Sequence, residues 1–292
     1  MSITIDTENY IFCAEIIKGY TFRVIIEVLS SIIKRGTIFI SQNNLFIMEG
    51  NSEKTIIFRI KLKAEFFHKY KYENTKKLRL SVDLIQLKED LSNVRKKDSL
   101  SIFIDNTLDK KIKFKIFSPQ QIDDSCQEIA LIKYTDNLDY EKIKIPSNKK
   151  YYKPYSILSS DFQRIKKITK NANDIIFSMF KNEFCVIRKE VSLSERSIIL
   201  GKPKSLHNKD ELQQEILDKG YEKRFPSNIF NKISKLSILT KTIKFYCPLN
   251  KEDPLLIKIL SDLGYISIYL KSIYDKTDKS DDEIIISPKK KK

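Results

Sequence analysis

The side chains that most often bind metals or act as nucleophiles are few and scattered in this chain. No two of its histidines and cysteines form the CxxC or HxxxH spacing of a zinc site. The cysteines stand dozens of residues apart and mostly in apolar runs, which is typical of buried, reduced thiols of an intracellular protein. These residues are His68, His207, Cys13, Cys126, Cys185 and Cys247. They predict no bound metal and no cofactor.

Acidic residues also lack the arrangement that catalysis requires. Asp123-Asp124, Glu89-Asp90 and Asp281-Asp282 are adjacent in sequence. A metal-dependent nuclease instead needs carboxylates that converge from the ends of separate strands. Three separate aspartates, each of which also fits a helix cap or a turn, are candidates for such a site: Asp83, Asp105 and Asp174. The sequence therefore favours a protein that is not an enzyme and leaves a metal-dependent nucleic-acid enzyme as the alternative.

The six glycines are too dispersed for a dinucleotide-binding GxGxxG motif or a P-loop. The N-terminal residues 1–10 are polar, which predicts no signal peptide. No apolar run reaches the length of about 18 residues that a membrane span requires. Nucleotide-binding and membrane classes are thus disfavoured.

Net charge gives the first positive indication of function. The chain has 292 residues, with 54 Lys and Arg against 38 Asp and Glu, for a formal charge of +16. A phosphate backbone is the default partner for such an excess, and an anionic membrane surface is the second candidate. Lysine contacts phosphate without identifying bases, which predicts sequence-independent, salt-sensitive binding to double-stranded DNA.

The candidate DNA-binding residues lie on or beside segments whose apolar residues recur at helical spacing. We predict these helices near residues 20–34, 83–95, 159–170 and 227–237. A solvated helix face remains the alternative for any single one of them. The candidates are Arg23, Arg95, Lys96, Lys97, Arg164, Lys166, Lys167, Lys170, Lys232 and Lys235.

Between these helices the apolar period changes to two, which predicts strands. The predicted strands are Thr37–Ser41, Leu45–Glu49, Lys54–Leu62, Leu78–Val82, Leu100–Asp105, Lys111–Phe117, Ile175–Phe180, Phe184–Arg188, Arg196–Leu200, Thr242–Cys247, Leu255–Leu260 and Tyr265–Leu270.

The predicted elements recur at a nearly constant offset. Phe22 lies 140 positions before Phe162, and Ile102 lies 141 positions before Ile243. The same order of helix, hairpin, strands, helix and strands predicts an internal repeat. Two unrelated α+β domains are the alternative. We expect a first domain over residues 1–136, a connector over 137–153, a second domain over 154–274 and a disordered charged tail over 275–292.

Five stretches in this order resemble sliding clamps of the proliferating cell nuclear antigen type. Residues 19–29 resemble the first helix of that family, and residues 44–49 (NLFIME) its Asn-Leu-x-x-Met-Asp strand. Residues 142–146 (KIKIP) are similar to its connector, 253–257 (DPLLI) to its Val-Pro-Leu-Val-Val strand and 263–270 (LGYISIYL) to its closing strand. The resemblance covers about residues 10–271.

The resemblance implies an α+β fold, a twofold repeat of a strand-rich clamp domain with two basic helices per domain on the DNA-facing side. It implies a processivity factor that holds duplex DNA without sequence preference, is loaded by a clamp loader and tethers replication or repair partners. Those partners, a DNA polymerase among them, would carry a short peptide with aromatic anchors. The matching pocket positions are Met48, Ile143, Ile145, Pro254 and Tyr269.

The resemblance also implies a ring, closed by pairing between strand 111–117 and strand 183–190 of the next subunit. The implied interface residues are Ile112, Phe114, Ile116, Phe184, Val186 and Arg188. A homotrimer is favoured, while a heteromeric ring, including a checkpoint-type clamp, and a basic monomer remain open. On the second predicted helix, Glu89 and Ser92 occupy positions at which family members usually have lysine.

Localisation is expected to be nuclear, with a cytoplasmic viral replication site as the alternative. The terminal Lys289–Lys292 run fits either an import signal or a further DNA contact, and a solvated tail without a partner is the alternative to both. The richness in Ile, Lys and Asn indicates an AT-rich genome, as in a large DNA virus or a protist.

Overall fold

The computed structural model describes residues 10–105, 111–119, 128–136, 143, 149–169, 172–180, 185–191, 194–200, 219–250 and 252–273. The elements of the first half are β1 (Tyr10–Ile16), α1 (Gly19–Ser30), β2 (Arg35–Ser41), β3 (Asn44–Gly50), β4 (Ile56–Lys63), β5 (Lys69–Lys71), β6 (Leu78–Asp83), α2 (Leu84–Asp90), β7 (Ser99–Asp105), β8 (Lys111–Phe117), β9 (Glu128–Lys133) and β10 (Thr135–Asp136). Those of the second half are β11 (Tyr155–Leu158), α3 (Ser159–Thr169), β12 (Asp174–Phe180), β13 (Cys185–Val191), β14 (Ser194–Leu200), β15 (Lys219–Pro226), α4 (Ser227–Ile233), β16 (Thr242–Tyr246), β17 (Leu255–Ser261) and β18 (Gly264–Leu270). Short 3₁₀ helices occupy Ala64–Phe66 and Ser234–Leu239.

The two halves have the same strand order, which confirms the predicted repeat. The order β1-β7-β8-β9 in the first half corresponds to β11-β16-β17-β18 in the second. The order β6-β2-β3-β4 likewise corresponds to β15-β12-β13-β14. The first half adds β5 beside β1 and β10 beside β6.

Strands β4 and β18 pair with each other and join the halves in one nine-stranded sheet. Gly264 opens β18 opposite Leu62 of β4, with a φ of +145°. A Cβ atom at Gly264 would lie 2.2 Å from the carbonyl oxygen of Lys61. Only glycine fits this close approach, because both the backbone angle and the space exclude a side chain.

The helices gather in one layer that packs against the sheets. Helix α1 contacts α2, and both α1 and α3 contact the 3₁₀ helix at Ser234–Leu239. Phe22, Ile25 and Leu29 of α1 are buried at helical spacing, as the sequence predicts. The Asp83 side chain accepts hydrogen bonds from the backbone N–H groups of Ile85 and Gln86, which confirms it as the N-cap of α2.

The bounds of several elements differ from the sequence-based expectations. Helix α1 ends at Ser30 and α2 at Asp90, four or five residues before the predicted ends near 34 and 95. The fourth helix is α-helical only to Ile233 and continues as a 3₁₀ helix. The structure adds strands β1, β5, β9, β10, β11 and β15 to the predicted set. Strands β5, β10 and β11 have only two to four residues, too few for an alternation to be recognised.

The two strands expected at the subunit interface lie inside their sheets, so that prediction is wrong. Strand β8, which carries Ile112, Phe114 and Ile116, pairs with both β7 and β9. Strand β13, which includes Val186 and Arg188, pairs with both β12 and β14, while Phe184 lies outside the described residues. A strand with two neighbours has no free backbone groups left for a third. The edge strands at these positions are β9 and β14.

One half-buried carboxylate in the first half gives a pH-dependent prediction. Glu49 Oε1 accepts a hydrogen bond from the Thr37 N–H at 2.7 Å, and burial raises the pKa of the Glu49 carboxyl. A carboxyl whose pKa is raised in the folded state contributes stability at low pH and loses it as the pH rises through that pKa.

We therefore expect Glu49→Gln, which keeps an accepting oxygen, to gain stability relative to the wild type as the pH rises from 4 to 7. Urea unfolding at a series of pH values measures the difference, and Thr37→Ser, which keeps the backbone donor, is the control. If the stability of Glu49→Gln relative to the wild type falls as the pH rises, the raised pKa of the Glu49 carboxyl is contradicted.

Candidate nucleic-acid and partner-binding sites

Helix α3 presents a basic face to solvent. Phe162 and Ile165 are buried, whereas Arg164, Lys166 and Lys167 are exposed. The Asp161 carboxylate lies 3.7 Å from the Arg164 guanidinium in an i, i+3 pair at the surface. Such a surface pair is weak, so this face remains a cationic surface suited to phosphate. Lys170 lies outside the described residues.

Arg23 is half-buried and fixed by the protein itself. Its Nη1 donates to the Val94 carbonyl oxygen at 2.7 Å, and its guanidinium lies 5.6 Å from the centre of the Tyr20 ring. These contacts hold α1 against the turn that follows α2. Arg23 is therefore a structural residue of the helical layer as well as a candidate DNA contact.

Two lysines after β15 bridge the halves of the protein. Lys235 Nζ forms a 2.6 Å ion pair with Glu27 of α1. Lys232 Nζ donates to the Ser31 carbonyl oxygen at 2.7 Å. Both lysines remain on the helical layer, but their charge is partly engaged by these contacts.

The exposed run Arg95–Lys97 lies between α2 and β7. Lys96 lines an open cavity of about 760 Å³ together with Lys18 and Lys241. The cavity lies where the first turn of α1 meets the residues that follow the 3₁₀ helix Ser234–Leu239. Asp262 also lines it and pairs with Lys18 at 2.7 Å, so the cationic character at this junction of the two halves comes from Lys96 and Lys241.

The predicted partner pocket lies on the face of the nine-stranded sheet that is opposite the helical layer. We call this the outward face. Gly50, Ile57, Tyr269 and Leu256 are register partners on the adjacent strands β3, β4, β18 and β17. A Cβ atom at Gly50 would lie 3.8 Å from Ile143 Cδ1, which places this connector residue over the row.

The structure therefore brings most of the predicted pocket residues to one region. Met48 is two residues before Gly50, and Pro254 immediately precedes β17. Met48 is 6% and Tyr269 9% exposed, so both are more covered than the expected open depression, while Ile143 and Pro254 are half-buried. Ile145 lies outside the described residues.

Tyr151 is a residue of this region that the sequence did not single out. Burial raises the pKa of its hydroxyl, and Tyr269 and Asp253 are close enough to add to the shift. The hydroxyl oxygen is buried and has no hydrogen-bond partner among the described residues. Lys149 forms an ion pair with Asp253, which fixes the end of the connector beside β17. An unsatisfied buried hydroxyl is costly to the folded state.

Comparisons with known proteins identify the fold. The protein superposes on a chain of the PCNA2–PCNA3 complex of Sulfolobus tokodaii with a TM-score of 0.69 and 15% sequence identity, covering 89% of this protein and 98% of that chain. No protein-family model and no curated protein sequence matches it. The protein has the fold of PCNA-type sliding clamps.

Neither a metal cluster nor a membrane-spanning helix is present among the described residues. Within them, no group of three or more His, Cys, Asp or Glu residues is placed to hold a metal ion. No helix in that part of the chain is long and apolar enough to cross a membrane.

Proposed function

We propose that this protein is a sliding clamp that holds duplex DNA without sequence preference and tethers replication or repair proteins to it. The observation that carries the proposal is the repeated topology, in which two equivalent halves join through β4 and β18 and the helices gather in one layer. The basic face of α3 and the exposed run Arg95–Lys97 suit phosphate contacts. Like PCNA-type clamps, the protein would contribute no chemistry of its own.

The internal repeat also suggests how a ring would close. Strand β9 is the counterpart of β18, and β14 is the counterpart of β4. Pairing of β9 with β14 of another subunit would repeat the contact that joins the two halves. The similar chain from Sulfolobus tokodaii is part of a complex of two clamp proteins. We favour a homotrimer, with a heteromeric or checkpoint-type ring as the second form.

Light scattering tests this assembly directly. We expect a mass three times the 34.3 kDa of one chain at moderate salt. Each subunit carries +16, so lower salt should weaken the ring by reducing the screening of this repulsion. A monomer under both conditions and at all concentrations would refute ring closure by this chain alone, and a trimer that forms only with a second clamp chain would establish the heteromeric form.

Tethering would use the outward pocket beside the connector. A short peptide with aromatic anchors on a polymerase would bind Ile143, Pro254 and the rim of Tyr269. Linkage to a clamp raises the effective concentration of the polymerase at the primer without new catalysis. We further propose a clamp loader as a partner, and a nuclear or viral replication site as the location.

A metal-dependent nucleic-acid enzyme is the competing class. Its test is incubation of the purified protein with duplex and single-stranded DNA in magnesium. Cleavage that is lost on Asp83→Asn or Asp105→Asn would support the enzyme and overturn the clamp.

A further inference from the structure

The outward face of the nine-stranded sheet, opposite the helical layer, is strongly cationic. Residues directly opposite each other on antiparallel strands share a face, so the register assigns every strand position to one side. The outward strand positions hold seven cations: Arg35, Arg59, Lys61, Lys63, Arg79, Lys244 and Lys258. Among the described strand positions of this face, Asp83 is the single acid, and it already caps α2.

Aromatic rings are interleaved with these cations in one continuous row. Arg79, Phe39, Phe46, Lys61 and Tyr265 are successive register partners on β6, β2, β3, β4 and β18. With strands about 4.8 Å apart, this row spans roughly 19 Å. We call this set the basic–aromatic row.

The rings of the row are accessible. Tyr265 is 47% exposed, and Phe39 and Phe46 are half-buried with ring centres 6.0 Å apart. Lys63 Nζ lies 5.6 Å from the centre of the Tyr265 ring and 5.3 Å from that of the exposed Phe66. Lys63 is also paired with Glu65 at 2.6 Å, so the free charge of this face rests on its other cations.

A second row of cations runs beside the first. Arg59, Ser267, Lys258 and Lys244 are register partners two positions further along β4, β18, β17 and β16. All three of these cations are exposed. A strand of phosphates could therefore follow one row while its bases lie over the other.

We propose that the outward sheet face binds single-stranded nucleic acid through the basic–aromatic row. Cations in line with one exposed and two half-buried rings suit a chain that offers both phosphates and unstacked bases. Bases stack on aromatic side chains, and any base has a flat face. A duplex keeps its bases stacked inside, so it would gain nothing from the rings. An acidic polypeptide would use the cations but not the rings. Duplex DNA on the helical layer and a single strand on the sheet would then occupy opposite sides of one protein.

The test compares two triple variants that remove the same charge. Arg59→Gln, Lys61→Gln and Lys258→Gln remove three of the seven cations of the sheet face. Arg164→Gln, Lys166→Gln and Lys167→Gln remove the three exposed cations of α3. Fluorescence anisotropy with a labelled oligothymidylate of about 20 nucleotides measures single-strand binding over a series of salt concentrations. A duplex of equal length is measured in parallel.

We expect the sheet-face variant to bind oligothymidylate more weakly and to reduce the salt slope by about 2, at about 0.7 for each phosphate that is no longer neutralised. The α3 variant should lose duplex affinity and change single-strand binding less. Tyr265→Leu, which keeps the apolar bulk, should weaken oligothymidylate binding by about tenfold without changing the salt slope. Circular dichroism checks that each variant is folded.

Two outcomes would overturn the proposal. One is an α3 variant that weakens oligothymidylate binding as much as the sheet-face variant does. The other is an unchanged affinity in Tyr265→Leu, together with equal competition by polyglutamate, which would assign the face to an acidic polypeptide. This proposal is independent of the clamp function. If the protein failed to bind duplex DNA, the clamp proposal would fail, but binding of oligothymidylate to the sheet face would be unaffected.

Discussion

Replacement of Lys167 and Lys235 together by glutamate is expected to weaken binding to every duplex by the same factor, roughly tenfold or more at low salt. Lys167 lies on the exposed face of α3, and Lys235 lies on the neighbouring 3₁₀ helix that contacts both α1 and α3. If each lysine contacts one phosphate, the slope of affinity against salt should fall by about 0.9 for each, or about 1.8 in total. Electrophoretic mobility shift or anisotropy measurements over a salt series provide both values.

The ion pair between Lys235 and Glu27 requires a specific control. Glutamate at position 235 would face Glu27 and could loosen the junction of the two halves instead of removing a DNA contact. The double variant Glu27→Lys with Lys235→Glu restores an ion pair of reversed polarity and keeps the net charge. It should bind duplex nearly as well as the wild type if the helical layer as a whole attracts DNA.

Sequence preference is the outcome that would contradict non-specific binding. Variants that weaken binding to one duplex much more than to others would mean that these lysines take part in base recognition. An unchanged salt slope in the double variant Lys167→Glu with Lys235→Glu would place the duplex elsewhere on the protein.

Replacement of Ile143 and Ile145 by alanine is expected to abolish stimulation of a partner polymerase while leaving duplex affinity unchanged. Ile143 lies over Gly50 and Ile57 on the outward face, whereas the cations of α3 lie in the helical layer. Neither isoleucine is charged, so the phosphate contacts are untouched. Removal of two apolar side chains from a peptide-binding surface should weaken binding of a fluorescent aromatic-anchored peptide by at least about tenfold.

A matched control removes the same number of carbon atoms from exposed positions elsewhere. Ile17 is 62% and Leu158 56% exposed, and alanine at both should leave peptide binding and stimulation unchanged. A variant at 143 and 145 that still stimulates its polymerase fully would refute the pocket. Tyr151→Phe offers an independent measure, because weaker peptide binding there would show that the unpartnered hydroxyl receives a hydrogen bond from the ligand or donates one to it.

The repeat and most of its elements are predictable because they rest on local patterns. The helical spacing of Phe22, Ile25 and Leu29 determines a buried helix face wherever the segment is placed. The N-cap at Asp83 is a contact over two and three residues, so it needs no knowledge of the fold. Strand 111–117 has the same bounds in the prediction and in the structure, because its Lys and Ile/Phe alternation directs every second residue inward.

Side-chain partners are not predictable in this way, because they join residues far apart in the chain. Lys235 lies 208 positions from Glu27, and Arg23 lies 71 positions from Val94. The sequence assigns both cations to DNA by their places on helices. The structure shows that each is also engaged in holding the helical layer together.

The repeated α+β architecture, the cationic excess and the outward or inward direction of most strand residues follow from composition and local residue patterns. Tertiary structure alone decided which strands are edges. The alternation of apolar and charged residues in β8 indicates which side chains face the core. The same alternation occurs in an edge strand with one neighbour and in an inner strand with two. The edges β9 and β14 were therefore assigned only by the observed strand pairing. The basic–aromatic row was decided in the same way, because Arg79, Lys61 and Tyr265 form a line only when the register of five strands is known.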